Sequence, residues 1–432
     1  MTARTPWARY VALDAVYLGT SFLWNSLHPI VLPILLLAYG SEETKNTRLG
    51  VLTFVGLLVA MGVQPLAGAL SDATRHRLGR RRPWILAGAA ASALCLAGLA
   101  GAGGFGALAF WYLALQVASN AMVGPANALI PDEVPAPHRG PVSGLKNLLD
   151  MAGIVLAAAV TGRLMGGSSP RAELNLALIG ALLLLSAGLT AWRRPGHSAA
   201  APSPAAPSAS APAGVGPGLR RRLGVRLSEN PAYARLLTSR FWLLLATYLV
   251  QSFALYYFRD ALSLRDPAAA MGSLMTCIGI PLAVAALPAG ILSERWGRRG
   301  LSLAACALVG VGLGCLLAAR ALGSIRALGA VVGLGMGVFV SVNWAWATDL
   351  VPAGEAGKYL GLANLATAGP SALARLMGPL IDAANGWRPG LGYTLLFALA
   401  TLAAAVALGV TVRIPETRGR HAALPQPPAN PA

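Results

Sequence analysis

Charge is scarce in this sequence: 16 Asp and Glu with 34 Lys and Arg make up 12% of 432 residues, against roughly 25% in soluble domains. That shortage excludes an ordinary water-soluble globule, because 56% of the residues are hydrophobic and a wet surface would lack polar cover. Cysteine is as thin. The four, Cys95, Cys277, Cys306 and Cys315, lie in apolar runs without metal-ligand spacing, which excludes a disulfide framework and a zinc site; they read as small buried hydrophobes. Catalytic signatures are missing too. No G-x-S-x-G elbow, phosphate loop or metal-ligand cluster stands where an enzyme would use it, and no cofactor or metal is expected. The net charge of +18 sits in short turns rather than on a basic, aromatic-interleaved helix, so nucleic acid is not an expected partner. The first apolar run is too long for a cleaved leader and holds Pro29 and Pro33, so no signal peptide is expected.

What the chain has instead is a series of apolar runs of about 20 residues, long enough to cross a bilayer as helices. Twelve are predicted, at 11–38, 48–70, 83–103, 106–130, 142–162, 173–192, 241–260, 269–292, 301–319, 326–348, 358–381 and 391–412. Between the second and third, PLAGALSDATRHRLGRRRPWILAG packs Arg75, Arg77, Arg80, Arg81 and Arg82 into one turn. Lys and Arg stay on the cytoplasmic side of membranes, which places this turn inside. It also returns: Gly68, Ser71, Asp72, Gly79, Arg80 and Arg81 recur as Gly290, Ser293, Glu294, Gly297, Arg298 and Arg299. A second echo pairs DEVPAPHRGPVSGLKNL at 132–148 with DLVPAGEAGKYLGLANL at 349–365, an offset of 217. Repetition at half length in an apolar chain points to a carrier built from two related bundles. With both basic turns inside, 24 Lys and Arg fall on the inner side and 9 on the outer. Both termini are therefore expected in the cytoplasm, in a bacterial inner (plasma) membrane.

The organisation expected is a six-helix bundle over 1–192, a cytoplasmic linker over 193–239, a second six-helix bundle over 240–413 and a disordered tail over 414–432. The linker begins as an Ala, Pro and Ser tether. It continues as LRRRLGVRLSENPAYARLLTSR, either a basic amphipathic helix on the inner leaflet or a plain connector.

These residues carry a family resemblance. The two copies of G-x-L-S-[DE]…G-R-R resemble the signature loop of the major facilitator superfamily, which implies an all-α integral membrane protein of twelve transmembrane helices in two pseudo-symmetric six-helix bundles. SDATRHRLGRRRPW, with its long spacing and final R-R-R-P, is similar to plant sucrose carriers and the related glycoside–cation symporters, as is LQVASNAMVGPANALIPDEVP at 115–135. Sucrose carriers have an acid at the position of Gln116 and an Arg at that of Asn127, so their coupling residues do not carry over. The resemblance implies that Gly68, Asp72, Gly79, Arg80 and Arg81, with Gly290, Glu294, Gly297, Arg298 and Arg299, form a conformational switch. In it, the Asp72 carboxylate meets a helix N-terminus and basic groups across the cytoplasmic interface of the halves.

Polar groups inside spans are costly and mark pathways by default. Asp14, Ser21, Asn25 and His28 share one face of the first helix at spacings of 7, 4 and 3. His28 is either a proton relay or a hydrogen-bonded packing histidine, and Asp14 either a coupling acid or an interfacial charge. Gln116, Asn120 and Asn127 share a face of the fourth span and offer uncharged donors and acceptors, which suits a polyhydroxylated solute. Trp24, Tyr248, Tyr256 and Trp344 are candidate aromatic platforms for a sugar ring, with Gln251 and Asn343 as further amides; each aromatic could equally be packing or interface belt. Asp150, one turn after Lys146, is the first choice for the coupling carboxylate, or else a simple ion pair. On the eleventh span, Asn364, Thr367, Ser371 and Arg375 share a face, with Arg375 toward the outer half as solute contact or gate. The expected function is proton-coupled symport of a sugar or glycoside by alternating access, in a monomer partnered by lipid, solute and H+. An exporter of amphipathic compounds and a non-transporting sensor or assembly factor are the alternatives.

Overall fold

Backbone N–H and C=O groups in a bilayer must be satisfied within the chain, which leaves helices as the economical solution for long apolar runs. The computed structural model describes residues 7–39, 41–192, 230–351 and 356–416, and every regular element among them is helical. Leaving out three short turns of helix, these are in chain order α1 (Trp7–Ala38), α2 (Lys45–Ala73), α3 (Arg82–Ala100), α4 (Phe105–Asn127), α5 (Arg139–Leu164) and α6 (Ala172–Trp192). Then come α7 (Pro231–Asp260), α8 (Pro267–Trp296), α9 (Arg298–Leu316), α10 (Leu322–Leu350), α11 (Ala356–Arg375), α12 (Gly378–Trp387) and α13 (Leu391–Val412). Among the described residues, 11 helices are long and apolar enough to cross a membrane.

The count differs from twelve at the eleventh predicted span, which forms as two helices. Pro379 stands in the first turn of α12. It has no N–H to offer the carbonyl one turn back, so it ends α11 and starts a new helix. The polar face of α11 lowers its hydropathy further; the side chain of Asn364 lies outside the described residues. The seventh span also differs, starting ten residues before the predicted 241. The backbone N–H of Tyr233 donates to Asn230 Oδ1 at 3.1 Å, an N-cap followed by Pro231, which pre-sets the first helical φ. Arg235 is therefore helical and bonds the Arg413 carbonyl at 3.1 Å. The expected basic helix around Arg220–Arg226 and the expected tail lie outside the described residues, apart from residues 414–416.

The helices form two compact units. The first holds α1 to α6 together with Leu249–Gly279 and Ala372–Leu396; the second holds α9 and α10 with the remaining parts of α7, α8, α11 and α13. In the first, α1 packs on α5 and α6, α3 on α4 and α6, and α2 on α4 and α12. In the second, α9 packs on α10, and Tyr233, Leu236, Trp346, Ala363 and Ile414 make a buried core. Cys95 and Cys306 are buried as expected, but Cys315 is exposed, because α9 turns that face outward.

Candidate functional site

In the first unit a hydrogen-bonded chain runs between α1 and α4. Residues Leu27–Val31 of α1 form a π-turn around Pro29, where the missing proline N–H loosens the helical ladder. The turn presents His28. Its ring stacks on Trp24, with centroids 4.8 Å apart and planes at 27°, and its Nε2 shares a hydrogen bond with the Tyr112 hydroxyl at 3.0 Å. Gln116 Nε2 donates to the same hydroxyl at 2.8 Å. Asn120 Nδ2 donates to the Gln116 carbonyl at 2.8 Å and to its Oε1 at 3.2 Å. Tyr112, Gln116 and Asn120 are buried, while Trp24, Asn25 and His28 are half-buried. The amides of α4 thus stand behind His28 and hold it. Tyr112, unremarkable in the aromatic run FWY, was absent from the sequence expectations. Asn25 turns back on its own helix, donating to the Ser21 carbonyl at 2.9 Å.

Toward the basic-turn end of α1 lies a charged cluster. Lys146 Nζ is 3.7 Å from Asp150 Oδ2 and 4.5 Å from the centroid of Tyr17, whose hydroxyl donates to Asn127 Oδ1 at 3.0 Å. Ser21 Oγ donates to the Asp150 carbonyl at 2.7 Å, fastening α1 to α5. Asp14 is 0% exposed, and neither carboxylate oxygen has a hydrogen-bond donor among the described residues. Such a group is expensive to bury as an ion.

The second unit contains a group that sequence reading misplaced. Arg240 sits inside α7, nine residues past Pro231, whereas the predicted seventh span begins just after it. It donates from Nε to Thr367 Oγ1 and from Nη1 to Asn343 Oδ1, both at 3.0 Å, and stacks over Trp344 at 5.6 Å. Tyr248 is half-buried and Gln251 exposed.

At the end of the first unit away from the basic turns, α2 is tied to α7, α12 and α13. Asp382 accepts from Asn46 Nδ2 at 2.8 Å and from the Thr47 backbone N–H and Oγ1, each at 2.7 Å. A carboxylate at a helix N-terminus is favoured by free N–H groups and the helix dipole. Lys45 is 2.7 Å from Asp260 and from Glu42; Tyr393 donates to Asp260 at 2.5 Å. Gly50 and Gly378 bring the backbones together here: a Cβ on Gly50 would overlap the Arg375 carbonyl, and one on Gly378 that of Asn46. Arg375 donates to the Thr53 carbonyl at 2.9 Å. Tyr256 is fully buried and donates to the Pro33 carbonyl at 3.0 Å, as a packing residue does.

The two basic turns reach one geometry. In the first, Arg81 donates from Nε to Asp132 at 3.0 Å and from Nη1 to the Gly68 carbonyl at 3.0 Å and to Ser71 Oγ. In the second, Arg298 donates from Nε to Asp349 at 3.0 Å and from Nη1 to Ser293 Oγ at 2.5 Å. Arg81 is therefore the counterpart of Arg298, which corrects the sequence pairing of Arg80 with Arg298 and Arg81 with Arg299. Gly79 and Gly297 take φ of 91° and 95°, a region open to glycine, so chains of unequal length deliver an arginine to the same place. Gly68 and Gly290 each accept from the following serine at 2.7 Å. Asp72 pairs with Arg81 and, at 3.8 Å, with Arg80; these partners belong to its own turn. Arg80 also pairs with Asp132 at 2.8 Å. Glu294 is exposed. Backbone N–H groups of Arg298 and Arg299 donate to Glu416 at 3.0 and 2.9 Å.

The sequence profile of the family described as MFS/sugar transport protein matches residues 22–378. Comparison with curated proteins finds no match. Among solved structures, the chain is similar to a bacterial homolog of the human lysosomal transporter Spinster, in an inward-facing and occupied conformation. Identity is 14% over 95% of this chain and 97% of that one, with a TM-score of 0.72. It is also similar to a D-xylose–proton symporter, at 16% identity over 96% and 98% of the chains with a TM-score of 0.66. The nucleoside transporter NupG gives 12% identity over 94% and 99%, with a TM-score of 0.71. At these identities the likeness carries the fold alone.

Proposed function

The chain belongs to the MFS/sugar transport protein family and has the major facilitator fold, and on that premise we propose that it carries a small polyhydroxylated solute, a sugar or glycoside. It is a multi-pass membrane protein and a secondary transporter. Transport runs by alternating access with proton symport, in a bacterial inner membrane with both termini cytoplasmic. The observation that supports the solute class best is the uncharged chain of Trp24, His28, Tyr112, Gln116 and Asn120. Indole, imidazole, phenol and amide together offer a stacking face and hydroxyl-matched donors and acceptors without a fixed charge, which is what a sugar ring needs. Coupling is assigned to Asp150 beside Lys146, with Asp14 and His28 as the other proton-binding groups of α1.

Uptake of labelled mono- and disaccharides into proteoliposomes, with and without an imposed pH gradient, tests the reading. Tyr112→Phe removes the hydroxyl shared by His28 and Gln116 while keeping the ring. Leaving buried polar groups unpaired costs about 1–3 kcal/mol, so kcat/KM should fall at least about fivefold. Flux of amphipathic cations instead of saccharides would replace the solute class, and an unchanged kcat/KM in the variant would make the chain a packing device.

Orientation has its own test. Cys introduced at Thr74 and at Trp296, one in each basic turn, should react with impermeant maleimide only from the cytoplasmic side. Labelling of either in intact cells would invert the topology.

A further inference from the structure

Between α3 and α6 the first unit leaves a groove of about 550 Å³. Ala93, Ala97 and Ala177 line it with methyl groups where larger side chains would have filled the space, and Leu96 and Leu176, both buried, form its floor. A gap between packed helices forfeits dispersion contacts unless something occupies it. The surface around it is apolar: Leu94, Leu178 and Leu185 of the same two helices are exposed, as befits a face turned to lipid. The groove has the length of one leaflet. Its lining runs along α6 from Glu173 to Leu184, about 17 Å at 1.5 Å per residue, against half of a hydrocarbon core of roughly 30 Å. One end carries a charge. Glu173 stands in the first turn of α6, at the end of that helix away from the basic turns. It is exposed and makes no ion pair among the described residues, and Arg171, two residues earlier, is exposed as well.

The repeat shows that these features do not come with the fold. At the offset of 217 that brings Arg81 onto Arg298, Gly310 and Gly314 stand where Ala93 and Ala97 do. A Cβ on Gly310 would lie 3.6 Å from that of Ala404, and one on Gly314 3.4 Å from Thr401 Cγ2, which is ordinary contact with α13. The second half thus packs helix on helix at the positions where the first leaves space. The first turn of α13 has no acid.

We propose that the groove between α3 and α6 binds one acyl chain of a phospholipid whose headgroup carries a primary amine, with the ammonium on Glu173. Hydrocarbon elsewhere in a bilayer is as apolar as the groove, so the chain alone gains little by entering, and the headgroup decides which lipid stays. An ammonium gives a carboxylate charge-assisted hydrogen bonds. A trimethylated amine has no N–H to give, and an anionic headgroup meets repulsion. Arg171 supplies a cation for the phosphate. The inference rests on the membrane-spanning fold and is independent of the solute, since occupancy of the groove requires no flux.

Native mass spectrometry of the full-length protein reads the preference, with dioleoyl phosphatidylethanolamine, phosphatidylcholine and phosphatidylglycerol offered in equal amounts. Wild type should retain one phosphatidylethanolamine about fivefold over each of the others. Glu173→Gln should leave the three lipids within about twofold of one another, and Glu173→Asp should keep part of the preference. Ala97→Leu combined with Ala177→Leu fills the groove from positions that are already exposed. This variant should unfold at the wild-type temperature yet lose retention of all three lipids. Phosphatidylethanolamine with a diazirine in its acyl chain should mark 93–101 and 173–184 in wild type and not in the double variant. Equal retention of the three headgroups by wild type, an unaltered preference in Glu173→Gln, or unchanged retention in the double variant overturns the proposal. So does photolabel spread evenly over other lipid-facing helices, which would make the groove ordinary solvation by the bilayer. A dimer in the same spectra that the double variant breaks assigns the groove to a second copy of the chain and overturns it too.

Discussion

Asp150→Asn should abolish accumulation against a gradient while leaving counterflow exchange partly intact. Asp150 is half-buried beside Lys146, 3.7 Å away, and its backbone carbonyl holds Ser21 of α1, so the fold contact at this residue does not depend on the side-chain charge. Removing that charge takes away a group able to gain and lose a proton, yet leaves Trp24, His28 and the α4 amides in place. A carrier that has lost its ion site but kept its solute site still equilibrates solute without concentrating it. The measurement is uptake driven by an imposed pH gradient, set against counterflow with solute preloaded. Concentrative uptake by the variant would make Asp150 a structural partner of Lys146 and move coupling to Asp14 and His28.

The second large effect concerns the basic turns. Arg81→Ala and Arg298→Ala should each destabilise the protein by about 3 kcal/mol, whereas Arg80→Ala should cost less than about 1 kcal/mol. The Arg81 side chain is 8% exposed and holds Asp72 and Asp132, and that of Arg298 is 15% exposed against Asp349. Arg80 is 48% exposed, where water screens its two carboxylates. Thermal unfolding in detergent checks the ranking. Equal losses for Arg80→Ala and Arg81→Ala would undo the pairing of Arg81 with Arg298.

That pairing shows where sequence reading reached its limit. The repeat itself was legible, because Ser71 with Ser293 and Asp132 with Asp349 stand out from apolar surroundings. The register was not. In a run of three arginines the gap can be placed anywhere, and only the hydrogen bonds to serine and aspartate identify the one that matters. Arg240 was lost for a related reason. A hydropathy window ends α7 wherever arginines begin, although Asn230 and Pro231 start the helix one decade of residues earlier and carry Arg240 inside with them. Asp382 fell just past a predicted span, and nothing in its neighbours announces that Asn46 and Thr47, more than three hundred residues away, supply its donors. Tyr112 was hidden by chemistry rather than position, since an aromatic at a span's start reads as belt until a partner is seen. Spacing put Asp14, Ser21, Asn25 and His28 on one expected face of α1, but it could not reveal that Asp14 has no donor among the described residues while His28 stacks on Trp24.

The tie between Asp382 and the first turn of α2 also puts a kinetic cost on separating α2 from α12. An opening that parts α2 from α12 would strip the carboxylate of three donors, at 2.8, 2.7 and 2.7 Å. Bonds to a charged group are worth about 1.5 kcal/mol each after exchange with water. If all three break together before water replaces them, the delay is of order a thousandfold. The rate of such an opening would then be set by Asn46, Thr47 and Asp382, residues apart from those proposed to hold the solute, so throughput could be changed there without altering what is carried.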